Sequence, residues 1–296
     1  MEMEKRYIEI FTGLRRDYGY ADINSAFKDP STGKLKLKYG WAAKELLDSD
    51  YIDHLEGKKS IGVQPCNDDG LSNFGAIDID SDEYDNFDLR KYLEIIDKKN
   101  IPVVPVKSKS GGLHIYVFFK EPVKASFVRN FLDKLLFTFS LKASTEIFPK
   151  QTQLGTGSDG KFINGNFINL PYYNRNERVG LNLDGTEFTF EQFLKVVEAN
   201  KKTKEEIEEF ATELMRLELT GGADEFADGP VCLQRLSKSK LDDYRDRFIY
   251  NYMVFAKKKY PDNWEEKLLE GARNYIVYDN IWGDEKVKQK IKAYKK

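Results

Sequence analysis

The chain has 296 residues, of which 41% are hydrophobic and 14% aromatic, and this composition excludes wholesale disorder. Its 47 Lys and Arg nearly cancel its 49 Asp and Glu, so any nucleic-acid-binding surface has to be a local basic patch. Two distant cysteines, Cys66 and Cys232, and two histidines, His54 and His114, predict neither a disulfide framework nor a zinc site. The charged start and the lack of a long apolar run predict a soluble, cytoplasmic protein with no membrane segment.

Residues 1–200 alternate short strand patterns with helical ones, which is typical of a mixed α/β domain. Apolar periodicity and turn residues locate its elements. The expected elements are a helix at Trp41–Leu47, strands at Ser60–Pro65 and Phe74–Asp80, a helix at Leu89–Lys99, strands at Pro102–Val106 and Gly112–Phe119, a helix at Ser126–Leu141, strands at Thr145–Phe148 and Asn166–Pro171, and a helix at Thr189–Ala199.

Residues 201–230 are predicted to be a charged helix, Lys201–Leu219, and a linker, Thr220–Pro230, that contains a Gly pair, acids and a Pro. Residues 231–296 predict a small helical accessory domain. Its expected elements are helices at Leu241–Lys259, Trp264–Tyr275 and Val287–Tyr294, with one short strand at Tyr275–Tyr278.

Two carboxylates, Asp78 and Asp80, end an apolar strand and share one of its faces, because side chains alternate along a strand. Like charges at this spacing repel each other, and a divalent cation between them relieves the repulsion. Oxygen ligands of this kind suit Mg²⁺ or Mn²⁺. The alternative is a strand end that runs into an acidic, solvated loop.

A loop with two Lys, two Ser and two Gly follows, and it includes Ser108, Ser110 and Gly112. Backbone N–H groups, hydroxyls and positive charge together suit a triphosphate. His114 lies just inside the next strand, where its ring can hold a phosphate oxygen. The alternative is a hairpin turn followed by a half-buried structural histidine.

A third acid, Glu146, lies in a short predicted strand, and Lys150 and Gln151 come shortly after it. Taken alone, Glu146 is equally typical of an ordinary surface glutamate.

The order Asp78-Ile-Asp80, Ser110-Gly-Gly-Leu-His114 and Glu146 resembles the three motifs of the archaeo-eukaryotic primase superfamily. The segments Ile61–Gly70 and Gly165–Tyr173 are similar to those of primase-polymerases from phages and mobile elements. The resemblance spans about residues 10–200. It implies an α/β (α+β) fold, in which an RRM-like palm follows an N-terminal α/β module and a C-terminal helical bundle comes last.

The resemblance also implies a function, which is template-dependent nucleotidyl transfer by a DNA primase-polymerase. Asp78, Asp80 and Glu146 would be the catalytic ligands of two Mg²⁺ or Mn²⁺ ions, without zinc. The implied partners are single-stranded DNA template, nucleoside triphosphates and a replicative helicase. The nucleotide-binding residues would be Ser108, Ser110, Gly112, His114 and Lys150.

Basic residues outside the three motifs are candidates for nucleic-acid contacts. Arg15 and Arg16 lie in a segment that resembles the same family, although a solvated pair of arginines is the plainer interpretation. In the predicted bundle, basic and aromatic residues interleave, as single-strand binding prefers. We expect the aromatics to form mainly the bundle core and the cations Arg245, Arg247, Lys257 and Lys258 to contact nucleic acid.

Two other function classes fit parts of the sequence. A replication-initiator nuclease with a metal site often has an RRM-like fold, but it usually needs paired histidines on one strand, which this sequence lacks. A non-catalytic module that binds single-stranded nucleic acid is the second alternative. The presence of all three acids together with the His-bearing turn argues against it.

Overall fold

A computed structural model describes residues 2–28, 30, 35–84, 87–109, 111–156, 163, 165–219 and 224–294. The chain divides into two compact units, residues 1–209 and 210–296, and the division falls inside a helix. No helix in the described ranges combines the length and the apolar character that crossing a membrane requires.

The first unit is built from two four-stranded sheets and six helices within the described residues. In chain order its elements are α1 (Glu2–Ile10), β1 (Tyr18–Lys28), β2 (Leu35–Ala42), α2 (Asp48–Leu55), β3 (Ser60–Val63), β4 (Leu71–Ile79), α3 (Leu89–Lys98), β5 (Val104–Lys107), β6 (Leu113–Lys124), α4 (Ala125–Thr138), β7 (Glu146–Phe148), β8 (Ile168–Asn169), α5 (Phe190–Asn200) and the start of α6 (Lys204–Leu219).

The palm sheet is antiparallel and has the strand order β5-β6-β4-β7. Its elements follow one another as β4-α3-β5-β6-α4-β7, which is the βαββαβ arrangement of ferredoxin-like and RRM-like folds. The predicted α/β fold with an RRM-like palm is therefore confirmed.

The two faces of β4 pack against different layers. A Cβ atom placed on Gly75 would lie 2.3 Å from Val128 of α4, so the odd-numbered residues of β4 face that helix. The even-numbered Phe74 instead packs against Phe11, with ring centroids 5.3 Å apart, in the main core. This alternation brings Asp78 to the core face, at the end where the strand leaves the core.

The N-terminal sheet has the strand order β2-β1-β3-β8. Ile61 and Val63 of β3 lie in the core that the two sheets share, while the intervening Gly62 lies on the opposite face. Phe167 covers that face, because a Cβ atom on Gly62 or on Gly19 would lie within 2.3 Å of its ring.

One predicted element of the first unit is wrong. The helix expected at Trp41–Leu47 is wrong: β2 runs through Ala42, and Trp41 pairs with Gly19 of β1. Cross-strand pairing here overrides the helix-forming Ala, Lys, Glu and Leu that follow Trp41. The other predicted strands and helices of residues 60–219 are present with shifts of a few residues at their ends, although β8 is shorter than its prediction.

The second unit is helical in its described part, as predicted. After the end of α6 and a 3-10 turn at Asp224–Phe226, it contains α7 (Val231–Leu236), α8 (Arg245–Lys259), α9 (Trp264–Tyr275) and α10 (Asp284–Tyr294). Residues 220–223 of the predicted linker lie outside the described residues. The expected strand at Tyr275–Tyr278 is reduced to a single bridge between Ile276 and Leu241.

Candidate active site

The strand register aligns the candidate residues in one row across the palm sheet. Asp78 of β4 is the cross-strand partner of His114 on one side and of Glu146 on the other. On the far side of His114, Val106 continues the row, and Gly180 pairs with Val106 through an isolated bridge. Directly opposed residues have Cβ atoms about 4.5–5.5 Å apart. The first and third motifs and the histidine therefore meet at one place.

Asp78 and His114 are in direct contact at the centre of this row. His114 is buried, and its Nε2 lies 3.1 Å from Oδ1 of Asp78. The ring does not make an aligned hydrogen bond, so Oδ1 is buried without a hydrogen-bond partner. Burial alone would raise the pKa of Asp78, but nearby His114 and the charge of Lys150 outweigh it and lower that pKa. Asp78 therefore presents an ionised oxygen that is not saturated by the protein.

Glu146 and Lys150 form an ion pair beside Asp78. Lys150 also lies over the Phe148 ring, with Nζ 5.2 Å from the ring centroid. Since Lys150 is occupied by Glu146, it is free to contact a nucleotide only if that pair opens.

The carboxylates fit a divalent cation in their chemistry. Asp78 and Glu146 are partners on two neighbouring strands, and Asp80 comes directly after the end of β4 at Ile79. Like charges placed directly opposite each other are unfavourable unless a cation lies between them. In the described part of the chain, however, no three His, Cys, Asp or Glu side chains already converge as a ligand set. The buried Oδ1 of Asp78 is the observation that favours a cation here.

The turn between β5 and β6 lies next to these carboxylates. Gly111 has a left-handed φ of 84°, which suits glycine, and Ser108 N–H donates to the Gly112 carbonyl. A Cβ on Gly112 would lie 2.2 Å from the Ile79 carbonyl oxygen, so this glycine allows the turn to approach the end of β4. Ser108 is buried at the turn, whereas Ser110 lies outside the described residues.

The two histidines have different environments. His54 is buried in the core, where its Nδ1 accepts from Ile61 N–H and its Nε2 donates to the Pro171 carbonyl oxygen. Burial and the charge of Arg178 lower the pKa of His54 to about 3, so its ring is neutral. His54 is a structural residue, and His114 is the one that lies beside the acids.

The N-terminal arginines are held by protein contacts. Arg15 donates to the Leu46 carbonyl and pairs with Asp48 at 3.1 Å. Arg16 pairs with Asp68 and donates to the Ile163 carbonyl. These contacts favour the plainer interpretation, in which both arginines stabilise the first unit.

The basic residues of α8 also differ from one another. Arg245 pairs with Asp279 at 2.6 Å and lies over the Trp282 ring, and only 16% of its side chain is exposed. Lys257 lies 4.8 Å over the ring of Trp264. By contrast, Arg247 and Lys258 are exposed on the same helix. The neighbouring aromatics are buried core residues, as expected: Phe248, Tyr252 and Phe255.

Sequence reasoning missed two polar residues near the row, Asn169 and Arg178. Both carry a buried side-chain atom without a hydrogen-bond partner. Arg178 comes directly before the apolar segment that extends the palm sheet past β5, and a charged residue at such a strand start is the one feature that points to it in the sequence.

A family model described as "TOTE conflict system, Archaeo-Eukaryotic Primase domain" matches residues 18–210 of the chain. Among solved structures, the AEP domain of a cyanophage S-2L primase-polymerase (PrimPol) is similar over 66% of this chain and 97% of its own, with 13% identity and a TM-score of 0.32. A crystal structure of primase RepB' is similar over 99% of this chain and 85% of its own, with 8% identity and a TM-score of 0.31. No curated protein matches the sequence.

Proposed function

The chain belongs to the archaeo-eukaryotic primase domain family of TOTE conflict systems, and on this premise we propose that it is a DNA primase-polymerase. The reaction is template-dependent nucleotidyl transfer to a primer end or to a first nucleotide. The observation that carries the proposal is the row Glu146–Asp78–His114, which combines two carboxylates with a histidine beside a Ser- and Gly-containing turn.

The carboxylates Asp78, Asp80 and Glu146 are proposed to bind two divalent ions, Mg²⁺ or Mn²⁺. When bound, such ions lower the pKa of the attacking hydroxyl and neutralise the triphosphate. The lowered pKa of Asp78 keeps its carboxylate ionised at neutral pH, as a ligand must be.

His114 and the turn at residues 108–112 are proposed to hold the triphosphate of the incoming nucleotide. The His114 ring lies against Asp78, so a phosphate oxygen bound by this ring would lie close to the carboxylates. Lys150 is proposed to contact the triphosphate as well, once Glu146 binds a metal ion and the Glu146–Lys150 ion pair opens. Gly112 allows the turn to come close to the end of β4.

The proposed polymer partner is single-stranded DNA, with Arg247 and Lys258 of the second unit as candidate phosphate contacts. We place the activity in the cytoplasm, and a replicative helicase is a further proposed partner. A nuclease with a histidine pair is disfavoured, because His54 is committed to the core by two hydrogen bonds.

The decisive experiment supplies single-stranded DNA, labelled nucleotides and Mg²⁺ or Mn²⁺ without any primer. We expect labelled oligomers from the natural chain and at least roughly 100-fold less product from Asp78→Asn. Asp133→Asn is the matched control, since Asp133 is exposed on α4 away from the row. Binding of DNA without synthesis by the natural chain, on primed as well as unprimed templates, would instead indicate a non-catalytic module.

A further inference from the structure

The hydroxyl of Tyr116 connects His114 of the row to Asn169 of β8. This hydroxyl lies 3.4 Å from Nδ1 of His114 and 3.4 Å from the carbonyl oxygen of Asn169. In the described part of the chain, Oδ1 of Asp78, Oδ1 of Asn169 and Nε of Arg178 are all buried without a hydrogen-bond partner. The charges of Asp78 and Arg178 both reach Tyr116 and act on its pKa in opposite directions. Since a buried polar group left without a partner is unfavourable, several of them near one another predict a ligand.

Arg178 is the cation in this group, and it has no ion-pair partner among the described residues. Its Nη2 donates to Oγ of Ser60 at 3.1 Å, and its guanidinium lies 5.7 Å from the ring centroid of Tyr173. No carboxylate of the described residues forms an ion pair with it. Burial lowers the pKa of Arg178, yet an arginine stays protonated in proteins. A half-buried cation with a buried Nε and no ion-pair contact is unfavourable, and an anionic ligand would supply that contact.

The position of Arg178 relates it to both sheets. Two residues further along the chain, Gly180 extends the row of Val106, His114 and Asp78 across the palm sheet. The partner of Arg178, Ser60, belongs to β3 of the N-terminal sheet. Arg178 therefore bridges the two sheets close to the row.

Phe167 covers the neighbouring part of the N-terminal sheet. Gly62 pairs with Gly19 and with Asn169, and neither glycine carries a side chain on the face that Ser60 shares. The ring of Phe167 lies against both glycines.

We propose that Arg178 is a positioning residue that binds a phosphate group of the incoming nucleotide, with Ser60 orienting its guanidinium. This inference rests on the proposed nucleotidyl transfer. A guanidinium fits phosphate oxygens with parallel N–H donors, which fixes orientation as well as charge. Nε, which lacks a partner in the protein, is one of the donors that such a phosphate would use.

Arg175 provides a matched control in the same loop. Like Arg178 it has a left-handed φ, 58° against 56°, and its guanidinium lies over an aromatic ring, that of Phe190. Unlike Arg178, it has a carboxylate partner, Glu4, at 2.6 Å. Removal of Arg175 therefore tests loss of a loop arginine that already has its counter-charge.

The experiment compares Arg178→Met, Arg178→Lys and Arg175→Met in the full chain. In primer extension, Arg178→Met should raise the nucleotide KM about tenfold or more with a smaller change in kcat, and Arg178→Lys should raise it by a smaller factor. Inorganic tripolyphosphate with Mg²⁺ should raise the melting temperature of the natural chain and of Arg175→Met but not that of Arg178→Met. Without ligand, Arg178→Met should melt no lower than the natural chain.

Two outcomes would overturn this assignment. One is an unchanged nucleotide KM in Arg178→Met, and the other is a lower ligand-free melting temperature with an unchanged tripolyphosphate response. If Arg178→Met does not fold, the nucleotide KM of Arg178→Lys is the test, and an unchanged KM in that variant overturns the assignment. If the natural chain neither incorporates nor binds nucleotide, the proposed function itself is wrong. If the natural chain incorporates nucleotide and Arg178→Met has the same nucleotide KM, only the role of Arg178 is wrong.

Discussion

Nε2 of His114 lies 3.1 Å from Oδ1 of Asp78 because the two residues are cross-strand partners of β6 and β4. The neighbouring pair Ile77–Ile115 lies on the opposite, buried face of the same two strands. Packing of the isoleucines and contact between the polar residues therefore depend on one register.

Replacing His114 should impair nucleotide binding more than template binding. We expect His114→Ala to weaken nucleotide affinity about tenfold, because a charge-assisted contact to phosphate is lost, while single-strand affinity changes little. Separate titrations with nucleotide and with single-stranded DNA measure the two affinities. Equal losses, or loss of the fold, would indicate that His114 is a structural residue like His54.

Substitution of Gly112 should destabilise the turn beside the carboxylates. The added methyl group of Gly112→Ala would lie 2.2 Å from the Ile79 carbonyl oxygen, so β4 or β6 has to move. We expect a loss of about 1–3 kcal/mol in unfolding free energy and a large loss of synthesis. Gly155→Ala is the control, because its added Cβ would meet nothing within 4 Å. Equal unfolding free energies for the two variants would contradict the close approach.

Acid should destabilise the fold through His54. Its pKa is about 3 in the folded protein against an ordinary 6.5, so between these values the unfolded chain binds the extra proton. Stability contributed by the neutral ring is complete above pH 6.5 and falls as the pH decreases towards 3. We expect a loss of about 2 kcal/mol between pH 7 and pH 5, measured by denaturant unfolding. His54→Gln should flatten this dependence, and an equally steep profile in that variant would reject the assignment.

The basic residues of α8 should separate into two classes. Arg247→Gln combined with Lys258→Gln should weaken single-strand binding and reduce the salt slope of log K by roughly 1.4, without a change in melting temperature. Arg245→Gln should instead lower the melting temperature, because the side chain pairs with Asp279 and packs on Trp282. Binding titrations at several salt concentrations and thermal melts distinguish these effects. An undiminished affinity in the double variant would mean that DNA binds elsewhere.

A chain that ends after Leu219 should extend primers but fail to start them. It retains the first unit and all of α6 and lacks the helices from α7 onwards. Joining two free nucleotides requires their orientation, which is worth roughly 7–11 kcal/mol at best. We expect the second unit to supply that positioning, since the two cysteines and two histidines predict no zinc module. The comparison uses primed and unprimed templates at two salt concentrations, and equal priming by both chains would give the second unit another role.

The sequence predicted those parts of the structure that depend on local periodicity. Alternation of apolar and polar residues up to Ile79 predicted the strand that carries Asp78, whereas the shared face of Asp78 and Asp80 stays a prediction, because β4 ends at Ile79. It could not show that Glu146 is the next-strand partner of Asp78, because that pairing joins residues far apart in the chain. The resemblance to a known family supplied this neighbour in advance.

The errors and omissions have physical reasons as well. Trp41 lies in a strand because Gly19 is its partner, and the following helix-forming residues lack the packing that would make them a helix. Arg178 was missed because its proposed role comes from a buried Nε and from the absence of an ion-pair contact. Burial of one arginine among several in a polar loop depends on tertiary packing and has no periodicity to reveal it.

The alternation of side chains along β4 from Phe74 to Ile79 limits how this protein can evolve. Deleting one residue from the middle of the strand would move Ile77 or Ile79 to the face that carries Asp78 and a carboxylate against α4. Such a deletion would disrupt the packing of β4 against α4 and remove a carboxylate from the candidate site at the same time. We therefore expect insertions and deletions in the middle of β4 to be eliminated by selection. Changes to this strand should then be substitutions of one side chain for another.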